Sequence, residues 1–385
     1  MSFEFLLPVE EAVVAHSALL PNLSLGKTIE IHSKQNGLPE LEGAHIAILG
    51  VLDGRRSEDN FGTGTNYSVI RKYIYQLFPG NWFSKIVDLG DIPQGKDEED
   101  TYFVLQEIIT YLVKNNIIPI ILGGGQDLTY ANYRAYDQLE QSVNLAVIDT
   151  KFDLGTIEDE MSSISYLSKI VMEKPSNLFN YSNVGYQTYF NSQEEIDLLE
   201  KLYFDIYRLG EITNDVKLVE PIFRDADVVS IDIGAVRRAE APANNNAVPN
   251  GFYGEEICAI SRYAGISDKV SSFGIYEYNP KLDEKDQTAH LIAQMIWYFI
   301  EGYNFRINEY PFTSKTAYKK YIVPIDDTVI NFFKSNKSDR WWMEVEHPNN
   351  KTTKHTLIPC TYQDYLRAGN QVIPERWWKT FRKLN

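Results

Sequence analysis

Short apolar runs recur along the chain, several of them closed by glycine or an acid, with amphipathic stretches between them. The segment "AHIAILGV" (44–51) is continuous enough to predict a strand buried on both faces. In "TYFVLQEIITYLVKNN" the residues Leu105, Ile108, Ile109 and Leu112 share one helical face. A second buried run, "IIPIIL", then ends at Gly123, Gly124 and Gly125. The same signal returns in "NLAVID" (144–149), "ADVVSIDI" (226–233) and "SSFGIYEYN" (271–279). A last strong helix carries Ile292, Met295, Ile296 and Phe299 at i, i+3, i+4 and i+7. This alternation predicts an α/β fold, a three-layer αβα sandwich around a mostly parallel central sheet. Ligands of such sheets bind beyond the carboxyl ends of the strands.

After about residue 310 the sequence turns polar and irregular, with tryptophan pairs in "SDRWWMEVEH" and "PERWWKTFRK". The expected organisation is an N-terminal extension packing on the core (1–40), an α/β domain (41–310) and a Trp-rich C-terminal extension (311–385). Trp341, Trp342, Trp377 and Trp378 are the anchors expected to pack it on the main domain, with a protein partner or subunit contact as the alternative.

Composition narrows the function classes. A chain of 385 residues suits one large α/β domain with a decorated end, or two domains. With 44% hydrophobic and 13% aromatic residues it buries a full core. A formal net charge of −16 argues against nucleic acid as a partner. The first residues lack a basic segment and a small-residue cleavage site, so a cytoplasmic chain is expected. No apolar run reaches the roughly 18–20 residues that span a bilayer. Cys258 and Cys360 lie far apart without metal spacing, as reduced, partly buried thiols do.

Candidate chemistry collects at the strand ends, in "LGGGQD", "DTKFD", "SIDIGAVRR" and "YEYNP". Asp149, Asp153 and Asp232 emerge from neighbouring strand ends beside a Gly-rich turn. Crowded carboxylates do not all ionise without a compensating cation, which can be a metal, a lysine, an arginine or a bound ligand. The alternative is a set of solvated aspartates capping helices. The "GGGQD" turn lacks the patterns that cradle phosphates, so a nucleotide site is not expected.

In this order the motifs resemble the ureohydrolase superfamily of arginase, agmatinase and formimidoylglutamase, whose strand ends read G-G-D-H, D-A-H-x-D and S-x-D-x-D-x-x-D-P. The resemblance spans roughly 44–302 and includes "ILGVLDGRRSEDNFGTGTNYSVIRKYIYQL" and "EYNPKLDEKDQTAHLIAQMIW". It implies an arginase-like fold, two manganese ions activating a hydroxide, and an amidine or guanidino substrate. By the same analogy the chain is a homo-oligomer, a trimer or hexamer.

The ligand positions depart from that pattern. The histidine of G-G-D-H falls on Gln126 and its aspartate on Gly125; the histidine of D-A-H-x-D is Lys151, and the second aspartate of S-x-D-x-D is Gly234. The D-P pair that closes that motif becomes Arg237 and Arg238. The resemblance therefore leaves one metal with Gln126, Asp149, Asp153 and Asp232, all still offering oxygen, and removes the other. The Lys151 ammonium is expected in the second metal's place, neutralising Asp149 and Asp232, with Arg237 assisting. No functional metal is expected; the alternative is one hard ion, Mn²⁺, Mg²⁺ or Ca²⁺.

Glu277 matches the family's carboxylate that pairs with the amidine, though Arg237 or Arg238 can also claim it. The segment after Asp153, "LGTIEDEMSSISYLSKIV", contains no histidine for proton transfer. His16, His32, His45, His290, His347 and His355 all fall outside the active-site motifs. Two functions remain: a metal-deficient ureohydrolase-fold pseudoenzyme acting as a binding or scaffold protein, or an active C–N hydrolase. The residues expected to carry the second are Asp149, Lys151 and Glu277.

Overall fold

A computed structural model describes residues 2–139, 141–155, 160–309, 315–349 and 352–385. Nine strands make the main sheet: β1 (Glu30–Ile31), β2 (Ile46–Val51), β3 (Ile86–Ile92), β4 (Ile118–Leu122), β5 (Val143–Ile148), β6 (Leu178–Tyr186), β7 (Asp205–Arg208), β8 (Val228–Asp232) and β9 (Ser272–Tyr276). Their order is β1-β3-β2-β4-β9-β8-β5-β6-β7, and the neighbours pair in parallel.

The continuous apolar runs form these strands because both faces of the sheet are covered. Side chains alternate between two cores. Ile46 and Ile48 of β2 face one, with Ile292, Met295, Ile296 and Phe299 of the Gln287–Asn304 helix. Ala47, Leu49 and Val51 face the other, with Leu105, Ile108, Ile109 and Leu112 of the Glu98–Lys114 helix. The latter helix starts where the Asp97 carboxylate accepts the Asp100 N–H at 3.2 Å, three acids in its first turn favour that end, and Lys114 closes the other. The sequence-predicted αβα sandwich is the fold observed.

The strand order positions the site. The chain winds outward through β4, then places β5 far enough away that β9 and β8, made later, fill the gap. The carboxyl ends of β4, β9, β8 and β5 thereby become neighbours at a switch in strand order, where a crevice forms.

The C-terminal segment corrects the expectation of an irregular arm. It is a four-stranded antiparallel sheet, β10 (Tyr318–Ile325), β11 (Thr328–Ser335), β12 (Trp341–Asn349) and β13 (Thr352–Cys360), followed by the helices Tyr362–Gly369 and Glu375–Leu384. Val323, Ile330, Phe332, Met343, Val345 and Ile358 give it a core of its own. Its alternation was masked because several outward positions also carry large residues. Trp341 and Trp342, being consecutive in a strand, point to opposite faces. Trp341 joins the extension's core, and the Arg224 guanidinium lies 4.4 Å from the Trp342 ring. Trp377 is buried, but Trp378 is exposed. The extension docks beneath the amino ends of β6 to β8: Lys379 Nζ donates to Phe204 O at 3.0 Å, and Arg376 pairs with Asp225 at 3.2 Å. The expected boundary at 310/311 falls outside the described residues.

Candidate functional site

Each strand-end motif delivers a polar side chain to one crevice. Gln126 follows β4, Asp149 follows β5, Asp232 ends β8 and Glu277 follows β9; with Asp153 they line a cavity of about 30 Å³. The glycine turn after β4 is required by a backbone crossing: a Cβ on Gly124 would fall 1.7 Å from the Asp53 carbonyl oxygen. That close approach lets Gly124 O accept the Glu277 N–H at 2.8 Å.

Glu277 is 3% exposed and held from three sides. Its Oε1 accepts the Gln126 backbone N–H at 2.9 Å. Its Oε2 accepts from Asn60 Nδ2 at 2.9 Å and from the Ser57 hydroxyl. Burial raises its pKa, and these donors oppose the rise. Ser57 and Asn60 lie in "GRRSEDNFG" and were not singled out as site residues from the sequence; a polar pair inside a Gly-rich loop after a buried strand is the signal that would have found them. Neither Arg237 nor Arg238 reaches Glu277 in an ion pair. The Arg237 guanidinium instead lies 3.6 Å from the Tyr253 ring.

Asp149 Oδ1 accepts the Lys151 backbone N–H at 2.9 Å, and Asp232 Oδ1 accepts from Gly234 N–H at 2.7 Å and from Asn244 Nδ2 at 3.2 Å. Asp149 and Asp153 are buried and within hydrogen-bonding reach of each other, yet Oδ2 of each lacks a donor. Burial, reinforced by the neighbouring Asp149 carboxylate, pushes Asp153 well above the usual carboxylate range, and Asp232 rises for the same two reasons. Two facing acceptors hold a proton or a cation between them. The Gln126 amide lowers the Asp149 pKa, but its buried Nε2 makes no hydrogen bond of good geometry.

Lys151 does not occupy the place expected of it. Its side chain is exposed, and among the described residues it makes no ion pair with Asp149 or Asp232. Only its longer-range charge favours their ionised forms. The physical reason is desolvation: an ammonium drawn into the crevice would lose its water, so the side chain stays where water solvates it. The acids share the crevice without closing on a single point. Among the described residues, no three of Asp149, Asp153, Asp232 and Glu277 bring one oxygen each within 4.8 Å of one another. As placed, they do not fit an ion bound by three of them.

Two of the acids sit on unusual backbone. Asp153 has φ of 54° and Glu277 has φ of 66°, the left-handed region that costs a residue with a Cβ about 1–2 kcal/mol. The Glu277 N–H bond to Gly124 shows what holds the second in place.

The chain is an αβα sandwich whose switch point gathers carboxylates beside a Gly-rich turn. A family model described as the arginase family matches residues 44–301, and the chain belongs to that family. It is 27% identical over 242 residues to a formimidoylglutamase of Staphylococcus aureus, covering 59% of this chain and 77% of the relative. Among solved structures it resembles formimidoylglutamase from Bacillus subtilis (TM-score 0.62, 20% identity, 68% of this chain and 88% of that one). It also resembles Trypanosoma cruzi formiminoglutamase with Mn²⁺ (TM-score 0.65, 17% identity, 74% and 99%).

Proposed function

We propose that this arginase-family chain has lost the binuclear manganese site and acts by binding, as a pseudoenzyme or scaffold. The observation that carries the reading is the closed state of the site. Glu277 has about three of its four acceptor directions filled by Gln126, Ser57 and Asn60. The cavity beside it, about 30 Å³, is far smaller than the roughly 300–1,000 Å³ of ordinary ligand pockets. Lys151 and Gly234, which the resemblance sets where the family has a histidine and an aspartate, offer no second-metal ligand, and this supports the reading. The ligand class this reading favours is a small amidine or guanidinium cation admitted by opening of the cavity. Domain limits near residues 40 and 310, a homo-oligomer and a cytoplasmic setting complete the proposal.

A second reading rests on the donorless Oδ2 atoms of Asp149 and Asp153. With Gln126 turned to offer its oxygen, they suit one hard ion, and the chain would hydrolyse formamidine-type substrates with it. Release of ammonia or urea from formiminoglutamate, arginine and agmatine, measured with added Mn²⁺, separates the two. No turnover is expected. Turnover that disappears in Asp149→Asn would overturn the binding-only reading.

A further inference from the structure

A second cluster of ligand-type side chains lies far from the crevice. On β12, Trp341, Met343 and Val345 face the extension's core, so the alternate residues Glu344 and Glu346 share the opposite face. β13 runs antiparallel beside it and sets His355 directly across from Glu346. The His355 Nδ1 stands 3.5 Å from Glu344 Oε1 and 3.7 Å from Glu346 Oε1, and the three atoms lie within 4.8 Å of one another.

These separations are long for hydrogen bonds, whose N···O distances cluster near 2.9–3.0 Å. They suit atoms that share an ion. A tetrahedral centre with bonds of about 2.0–2.1 Å keeps neighbouring ligand atoms roughly 3.3–3.4 Å apart, close to the two separations His355 makes. Asn331 Nδ2 donates to Glu344 Oε2 at 2.7 Å, fixing that carboxylate with its other oxygen toward the cluster. Such an outer partner is what orients a ligating carboxylate.

We propose that Glu344, Glu346 and His355 bind one divalent transition ion of the zinc class, clipping β12 to β13. One nitrogen and two oxygens favour zinc over the all-oxygen preference of magnesium or calcium. Three protein ligands leave a fourth position to water.

The test uses the full chain, stripped with chelator and titrated with Zn²⁺ by calorimetry. Glu346 and His355 are exposed at 59% and 43% of their side chains, so Glu346→Gln and His355→Ala leave the core untouched; circular dichroism checks the fold. The wild-type chain is expected to take one equivalent, each variant to bind at least tenfold more weakly, and Asp149→Asn to retain the equivalent. Failure of the wild-type chain to take Zn²⁺, or binding unchanged in both variants, would overturn the site. Loss of the equivalent in Asp149→Asn would assign the ion to the strand-end acids instead. Because the readout is metal uptake and not turnover, failure of the β12–β13 site alone leaves the binding-only reading standing.

Discussion

The Gln126 backbone N–H donates to Glu277 Oε1 at 2.9 Å, tying the turn after β4 to the acid after β9. With Ser57 and Asn60 on the other oxygen, the carboxylate is a junction of three segments. In Glu277→Gln one amide N–H must face a donor. Destabilisation of about 1–3 kcal/mol is expected in urea unfolding. An unchanged midpoint would mean that the carboxylate does not organise the crevice.

Restoring a family ligand is expected to harm the protein. A Cβ on Gly234 would stand 3.0 Å from Asn244 Nδ2 and 3.1 Å from Asp232 Oδ1, and Gly234→Asp adds another acid to a group already short of cations. A loss of about 1–3 kcal/mol is expected from the crowding alone. Thermal unfolding with and without Mn²⁺ checks this, and recovery with the ion would count against the lost-site reading.

Lys383 gives a pH signature. Burial lowers its pKa to about 8, against the opposing pull of Asp205 and Asp225. Below pH 8 both folded and unfolded chains carry the proton, so the full cost of the buried charge is present. Between pH 8 and about 10.4 the unfolded chain binds more protons, and stability rises with pH. Lys383→Met is expected to be the more stable protein at pH 7, by up to roughly 3 kcal/mol, with the gap closing by about pH 10.5. Paired urea titrations at pH 7 and pH 10.5 measure it.

Arg224 holds the extension. Its Nη1 donates to Trp341 O at 2.9 Å and its Nη2 to Cys360 O at 3.2 Å, while its Nε pairs with Glu220 at 3.0 Å. Truncating one partner of a buried charge network costs about 3–5 kcal/mol. Arg224→Ala is expected to lose that much and to expose the extension to limited proteolysis. Arg224→Lys is not expected to rescue it, because one ammonium cannot reproduce the planar fork.

The main sheet was legible in the sequence where burial is two-sided. β2, β4, β5, β8 and β9 are short apolar runs, and all reach the fold as read. β6 was not, because "LFNYSNVGY" carries Asn180, Ser182 and Asn183; the Asn180 and Asn183 amides donate to Asp205 and to the Lys151 carbonyl. The acids of the crevice were legible because each closes a recognisable apolar run; that they share one crevice follows from the strand order. The conformation of Lys151 was not: a motif places an α-carbon, whereas the direction of a long, hydrated side chain is set by desolvation. The antiparallel extension escaped for a related reason, since large residues on both faces blur the period-2 signal.

The crevice sits at the carboxyl ends of the strands, while Phe204, Asp205 and Asp225, which receive the C-terminal helix, lie at their amino ends. β8 is five residues long and leads from one to the other, a distance of roughly 17 Å. The molecule therefore has two poles. Under the proposed binding role, a small cation among the carboxylates and a partner on the extension would not compete for space.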